Sequence, residues 1–174
     1  MNRPLRPSPF LLGVLALTSC AVGHASNVWR DPSYQPAPVR RVFVVAVAPE
    51  RQDQLGLENA LAEALLARGF EVATAAGLWT EGPVDQGKVK AYAKEMNVDL
   101  VVVEQPTFLS LGEAGVTPAV AKVDARAYGA GRYPDAPVWS GTLSARNFVS
   151  VKGAGAVVAA SLVESLIEAK VLVR

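Results

Sequence analysis

The sequence predicts an α+β (α/β) fold built on one mixed sheet, in the order β-α-β-α-β-β-β-α, with the helices packed mainly on one face. Three observations predict it. Residues 42–47, Val-Phe-Val-Val-Ala-Val, form an unbroken apolar run of the kind found in a central strand covered on both sides. Residues 54–68 carry Leu57, Leu61, Ala64 and Leu65 at helical spacing. Residues 119–128 set Val120, Lys122, Asp124 and Arg126 against Ala121, Val123, Ala125 and Ala127, the alternation of a strand with one wet face.

The first strand ends at Ala48-Pro49. Asp53 is placed to cap the helix that follows, whose apolar stripe turns Glu58 and Glu63 away from the core. Gly69 stands where a helix C-terminus favours a left-handed residue. Residues 70–75 read as a second strand, and the succession strand, helix, strand implies a right-handed parallel unit. After a loop over 77–83, Asp85 caps a helix through Met96, with Val89, Tyr92 and Met96 inward, Lys88, Lys90 and Lys94 outward, and Asn97 at its end. Residues 98–109, 119–128 and 137–148 are three long strands joined by turns bearing Gly and Pro, which favours an antiparallel meander. A last helix over about 153–171 places Val158, Leu162, Leu166 and Ala169 inward, with Glu164 and Glu168 exposed.

Ahead of this domain, Arg3 and Arg6 precede about eight mostly apolar residues over 10–17, a run far short of the roughly 20 needed to span a bilayer. The run leads into Leu17-Thr18-Ser19-Cys20, which contains the only cysteine of the chain. This arrangement resembles the lipobox of bacterial lipoprotein precursors. The resemblance implies a diacylglycerol on the Cys20 thiol, removal of residues 1–19, and acylation of the new amino terminus. Several long acyl chains, at about 0.8 kcal/mol per buried CH₂, would hold such a protein to its membrane almost permanently. Ala21, in place of the aspartate that retains relatives in the inner membrane, implies the outer membrane, periplasmic side. The residues also allow an ordinary secretory signal: Gly23-His24-Ala25 has the small-x-small form of a cleavage site that would release a soluble periplasmic protein at Ser26.

The domain organisation expected is therefore a signal peptide over 1–19, a flexible tether over 20–40 and a single domain over 41–174. About 155 residues remain after processing, enough for one core. Losing Arg3 and Arg6 turns the formal charge of +1 into about −1, which argues against nucleic acid or an anionic membrane surface as an electrostatic partner. With Cys20 acylated no thiol is left for a disulfide or a redox pair.

Residues 21–38 are rich in small residues and proline and lack an apolar period. Within them stands Trp29-Arg30-Asp31-Pro32. A W-x-D-P motif soon after the lipidated cysteine resembles that of small outer-membrane lipoproteins of uncharacterised function. The residues themselves support a plainer account, an aromatic side chain pinning the start of the domain and an Asp-Pro turn. Farther on, an apolar strand ends in Ala-Pro before a helix closing Ala67-Arg68-Gly69-Phe70-Glu71-Val72; Asn97-Val98-Asp99 leads into a valine-rich strand; and Pro137-Val138-Trp139-Ser140-Gly141-Thr142 opens another. Over 41–174 this order is similar to the TolB amino-terminal and curli-lipoprotein-like α/β domains. That resemblance implies a domain that docks to another envelope component.

Chemistry is narrowed by subtraction. His24 is the only histidine and lies outside the expected domain, which removes Ser-His and Cys-His nucleophiles and histidine-based zinc sites. Gly82-Pro83-Val84-Asp85-Gln86-Gly87-Lys88-Val89 approaches the phosphate-loop pattern, but Val89 brings no hydroxyl to magnesium, Pro83 deletes an N–H and Asp85 would repel phosphate. Ser150 and Lys152 are spaced two apart, so their side chains do not meet on a strand or a helix. Gly153-Ala154-Gly155 is better suited to close helix packing than to anion binding. Glu104, following Val101-Val102-Val103 in a central strand, is the one carboxylate placed to be desolvated. An enzyme would need further acidic or hydroxyl groups converging with it in a cleft.

The function expected is a membrane-anchored docking or assembly module in the bacterial envelope, without catalysis, cofactor or metal, attached by Cys20 and partnered by another envelope protein. Candidate interaction residues are Trp29 and Asp31, Trp79, and Arg126, Tyr128, Arg132 and Tyr133, the last four having the composition of an interface around an expected hairpin. A lipoprotein binding a small ligand in an apolar pocket is the alternative.

Overall fold

The computed structural model describes residues 22–79, 84–110, 120–129, 131–146, 148 and 150–174. The expected signal peptide and Cys20 lie outside these residues, as do Gly82 and Pro83 of the phosphate-loop-like segment. One mixed six-stranded sheet carries the fold: β1 (Val22–Arg30), β2 (Arg41–Ala46), β3 (Glu71–Thr74), β4 (Leu100–Ser110), β5 (Val120–Gly129) and β6 (Trp139–Arg146), in the order β1-β6-β5-β4-β2-β3. Helices α1 (Arg51–Ala67), α2 (Ala75–Leu78), α3 (Gln86–Glu95) and α4 (Val151–Glu168) complete it. The α+β class with a mixed sheet is as the sequence predicts.

β2 is the central parallel strand, flanked by β3 and β4 and buried from Val42 to Ala46, which explains its continuous apolar run. Both crossovers from this region follow from one rule. β2 to β3 steps one way across the sheet and β3 to β4 steps back, so two right-handed connections deliver α1 and α3 to opposite faces. The two long helices, α1 and α4, share one face and seal the larger core with Val42, Val44, Leu100, Val102, Trp139 and Leu143. On the other face α3 places Val89 against Phe43, Val45 and Val101 in a second, smaller core.

Capping follows the local sequence in most places. Asp85 accepts a hydrogen bond from the Lys88 N–H at 3.0 Å, Ser150 accepts one from the Gly153 N–H at 3.1 Å, and Gly69 turns left-handed at φ +78° to end α1. Asp53 does not cap α1. The helix begins three residues earlier than expected, at Arg51, with Glu50 at the cap position making no side-chain bond, and Asp53 lies in the first turn where its charge suits the helix dipole. Met96, expected inward, is exposed just past the end of α3. β5 alternates as expected, with Ala121, Val123, Ala125 and Ala127 buried and Lys122, Asp124 and Arg126 exposed.

The largest departure is at the start. The tether expected over 20–40 contains β1, an edge strand running antiparallel to β6 with Val22 opposite Arg146, Ala25 opposite Leu143 and Arg30 opposite Trp139. Strand pairing at an edge uses backbone groups, so it leaves no apolar period to read. Two residues fit β1 to its place. Gly23 lies beneath α4, where a Cβ would collide with Ser161 Oγ and come within 2.9 Å of Val157 Cγ1. Asn27, at φ +51°, stands in the register break between Ser26 and Trp29.

Candidate functional site

Trp29-Arg30-Asp31-Pro32 closes β1 in a polar corner. Asp31 is buried; its Oδ1 accepts hydrogen bonds from the Ser33 N–H at 2.8 Å and the Ser33 hydroxyl at 2.6 Å, and its Oδ2 pairs with Arg132 Nη2 at 2.6 Å. The Ser33 hydroxyl first, and then the Arg132 guanidinium, hold the Asp31 carboxyl down at about 2. Arg30 donates to the Tyr34 carbonyl at 2.9 Å and lies over the Tyr34 ring. The aspartate therefore fastens the segment after β1 to the loop before β6, while Trp29 is 46% exposed.

The expected interaction residues divide in two. Tyr128 and Tyr133 are buried, edge to face with centroids 5.2 Å apart, and Trp79 is half-buried, edge-on to Phe43 at 5.8 Å and Tyr92 at 6.3 Å. These three belong to the second core, which corrects the expectation of an exposed aromatic surface around Trp79 and the 128–133 segment. Arg132 is half-buried on Asp31. Trp29 and Arg126 remain outside. Both stand opposite Ser140 of β6, so the three form one cross-strand row on the sheet face turned away from α1 and α4. The next row holds Ser26, Thr142 and Asp124, with the Thr142 hydroxyl donating to Asp124 Oδ1 at 2.8 Å. Among the described residues α3 and Trp79 cover this face only near β2 and β4, and the part formed by β5, β6 and β1 is open.

On the opposite face, a groove of about 680 Å³ runs between α1 and α4 above the ends of β4 and β5. Gly56, Ala60, Pro106, Val123, Ala154 and Val158 line it with apolar surface, and Asp53, Glu63, Lys122 and Lys152 stand at its walls. At Gly155 α4 faces Ala60 of α1: a Cβ there would make an ordinary contact with Ala60 Cβ at 3.5 Å.

Glu104 is desolvated, as its position in a central strand suggests. It is 1% exposed and its Oε2 has no hydrogen-bond partner among the described residues. Burial, and then the neighbouring Glu58 carboxyl, push it up to about 8. Glu58 corrects the sequence reading, which turned it to solvent. It is fully buried on the α1 stripe Gln54, Glu58, Leu61, Leu65 and accepts from the Ala46 N–H at 2.9 Å and the Ala76 N–H at 2.6 Å. It thereby serves the end of β2 and the first turn of α2 with one side chain. Desolvation raises its pKa, and these two N–H groups oppose that rise. Two acids do converge at Glu104, but neither lines the groove. Their arrangement joins helix to sheet.

Fold and site together define a small α+β domain with an open sheet face on one side and an apolar groove on the other. No family model and no curated protein matches the sequence. Among solved structures, the PelC dodecamer from Paraburkholderia phytofirmans is similar, with a TM-score of 0.58 at 14% identity over 89% of this chain and 99% of that one. Weaker likenesses include the lipoprotein GNA1162 from Neisseria meningitidis, with a TM-score of 0.47 at 16% identity over 74% of this chain and 96% of that one. A DUF330 protein from Xanthomonas campestris has a TM-score of 0.41 at 15% identity over 84% and 87%. The fold is thus shared with PelC at low sequence identity. Among the described residues no helix is long and apolar enough to cross a membrane.

Proposed function

We propose that this chain is a periplasmic lipoprotein anchored through Cys20 to the outer membrane, and that its domain is a docking or assembly module of the envelope that performs no catalysis. The observation that carries the anchoring is the meeting of two features: a lipobox ending at Cys20, and an edge strand beginning at Val22. Cleavage before Ser26, the soluble alternative, would remove Val22 to Ala25 and with them four register pairs to β6. Processing at Cys20 keeps the strand whole. Docking is supported by the open row of Trp29, Ser140 and Arg126 on the uncovered sheet face, since exposed Trp and Arg are favoured contact residues. The PelC structure of the same fold is a dodecamer, which makes another copy of this chain one eligible partner.

Mass spectrometry of the mature amino terminus tests the anchor: an acylated Cys20 is expected, and an unmodified chain beginning at Ser26 would remove it. Crosslinking and affinity capture then compare the anchored protein with Cys20→Ala. Docking predicts a defined envelope complex recovered from the anchored form and lost on Trp29→Ser with Arg126→Ala. A second reading, small-ligand binding, is favoured by the apolar groove between α1 and α4. It predicts that Cys20→Ala binds its ligand undiminished and that Gly155→Leu abolishes binding.

A further inference from the structure

We propose that the sheet end formed by the start of β1, the end of β4, the start of β5 and the end of β6 lies directly on the lipid surface. The inference rests on the anchoring of Cys20 and adds to it an orientation and a contact surface. One residue, Ala21, separates Cys20 from Val22, so their Cα atoms are at most about 7 Å apart. Val22 is hydrogen-bonded into the sheet, opposite Arg146, which in turn stands opposite Val120. A lipid on Cys20 therefore holds this end of the domain at the bilayer with almost no slack.

What the end displays suits that neighbour. Val22 is 57% exposed and Phe108 is 51% exposed, two apolar side chains that a monomer would otherwise leave in water. One row inward, His24, Ser144, Lys122 and Phe108 lie across the four strands. Lys122, Arg146 and Lys152 are exposed here and place three cations beside the apolar pair, the combination of an interfacial surface on anionic headgroups. Among the described residues, Asp53 and Glu63 stand with Lys122 and Lys152 at the walls of the groove, and Asp124 accepts from Thr142. At the far end of the sheet lies Asp135, separated from this surface by the length of β5, about 30 Å.

The absence of any other cysteine makes the test clean, because an acylated Cys20 leaves an introduced thiol as the only one. Mature protein is purified from membranes and reconstituted into vesicles of phosphatidylethanolamine and phosphatidylglycerol. Phe108→Cys, Lys152→Cys and Asp135→Cys are each labelled with an environment-sensitive fluorophore. The expected result is blue-shifted emission at positions 108 and 152, quenched several-fold more by nitroxide-bearing lipid than emission at position 135. The Lys152→Cys probe leaves the Phe108 side chain intact, so loss of that contact does not confound the comparison. Equal quenching at all three positions, or stronger quenching at 135, with Cys20 shown to be acylated, overturns the orientation alone. An unacylated Cys20 overturns the anchoring and the orientation with it.

Discussion

Replacing Glu104 with Gln should make the protein more stable at neutral pH and leave it unchanged in acid. In the folded state the Glu104 carboxyl sits at about 8 against an ordinary 4.5, because burial disfavours its charged form and Glu58 opposes it further. Between those two values the folded chain holds a proton that the unfolded chain releases, so stability falls as pH rises from about 4.5 through 8. The slope is about 1.4 kcal/mol per pH unit, which accumulates to about 3 kcal/mol by neutral pH. Glutamine has nearly the same shape and no charge to desolvate. Urea unfolding of wild type and Glu104→Gln, run in steps from mildly acidic to mildly alkaline buffer, should therefore give curves that meet at the acid end and separate by about 3 kcal/mol at neutral pH, with the variant the more stable. Glu58 contributes a slope to both proteins, so the difference between the curves reports Glu104 together with its coupling to Glu58. Parallel curves across the whole range would refute the reasoning, since a constant offset means that Glu104 does not change its protonation on folding.

Two further substitutions probe the joints of the fold. Glu58→Ala strips the Ala46 and Ala76 N–H groups of their acceptor and should cost about 2–4 kcal/mol in urea unfolding, with Glu58→Gln losing about half of that because one acceptor oxygen remains. Gly23→Val drives a side chain into Ser161 and Val157 of α4; a loss of about 1–3 kcal/mol is expected, with faster hydrogen exchange confined to β1 and its partner β6.

Where burial and apolar character coincide, the sequence is a sufficient guide. β2 is apolar because both its faces are covered, and β5 alternates because only one of its faces is covered along most of its length. The failures share a physical cause, which is that the deciding partner was not an apolar side chain. β1 is held by backbone pairing and by the lack of a side chain at Gly23, so a run of Gly, His, Ser and Asn resembled a tether. Glu58 lies on the helical stripe that includes Leu61 and Leu65, but two backbone N–H groups, donated from distant elements, are what bring a carboxylate inside. Tyr128 shares its face with Lys122, Asp124 and Arg126, and it is buried edge to face on Tyr133 in the second core, which strand alternation alone does not show. The polar corner at Asp31 was visible as a motif, whereas its partner Arg132 stands a hundred and one residues away.

β1 carries a consequence for how the protein is made. If the chain is exported amino terminus first, as the proposed lipoprotein would be, β1 leaves the channel ahead of the other strands, and β6, which receives it, is the last of the six in chain order. Ser26, for instance, waits for the Thr142 carbonyl, 116 residues behind it. Contacts that join the two ends of a chain form slowly, because a long loop must close before they are rewarded. In the proposed lipoprotein, β1 would therefore stay unpaired until β6 follows it. On that route the strand that leaves first would be the last part of the sheet to set.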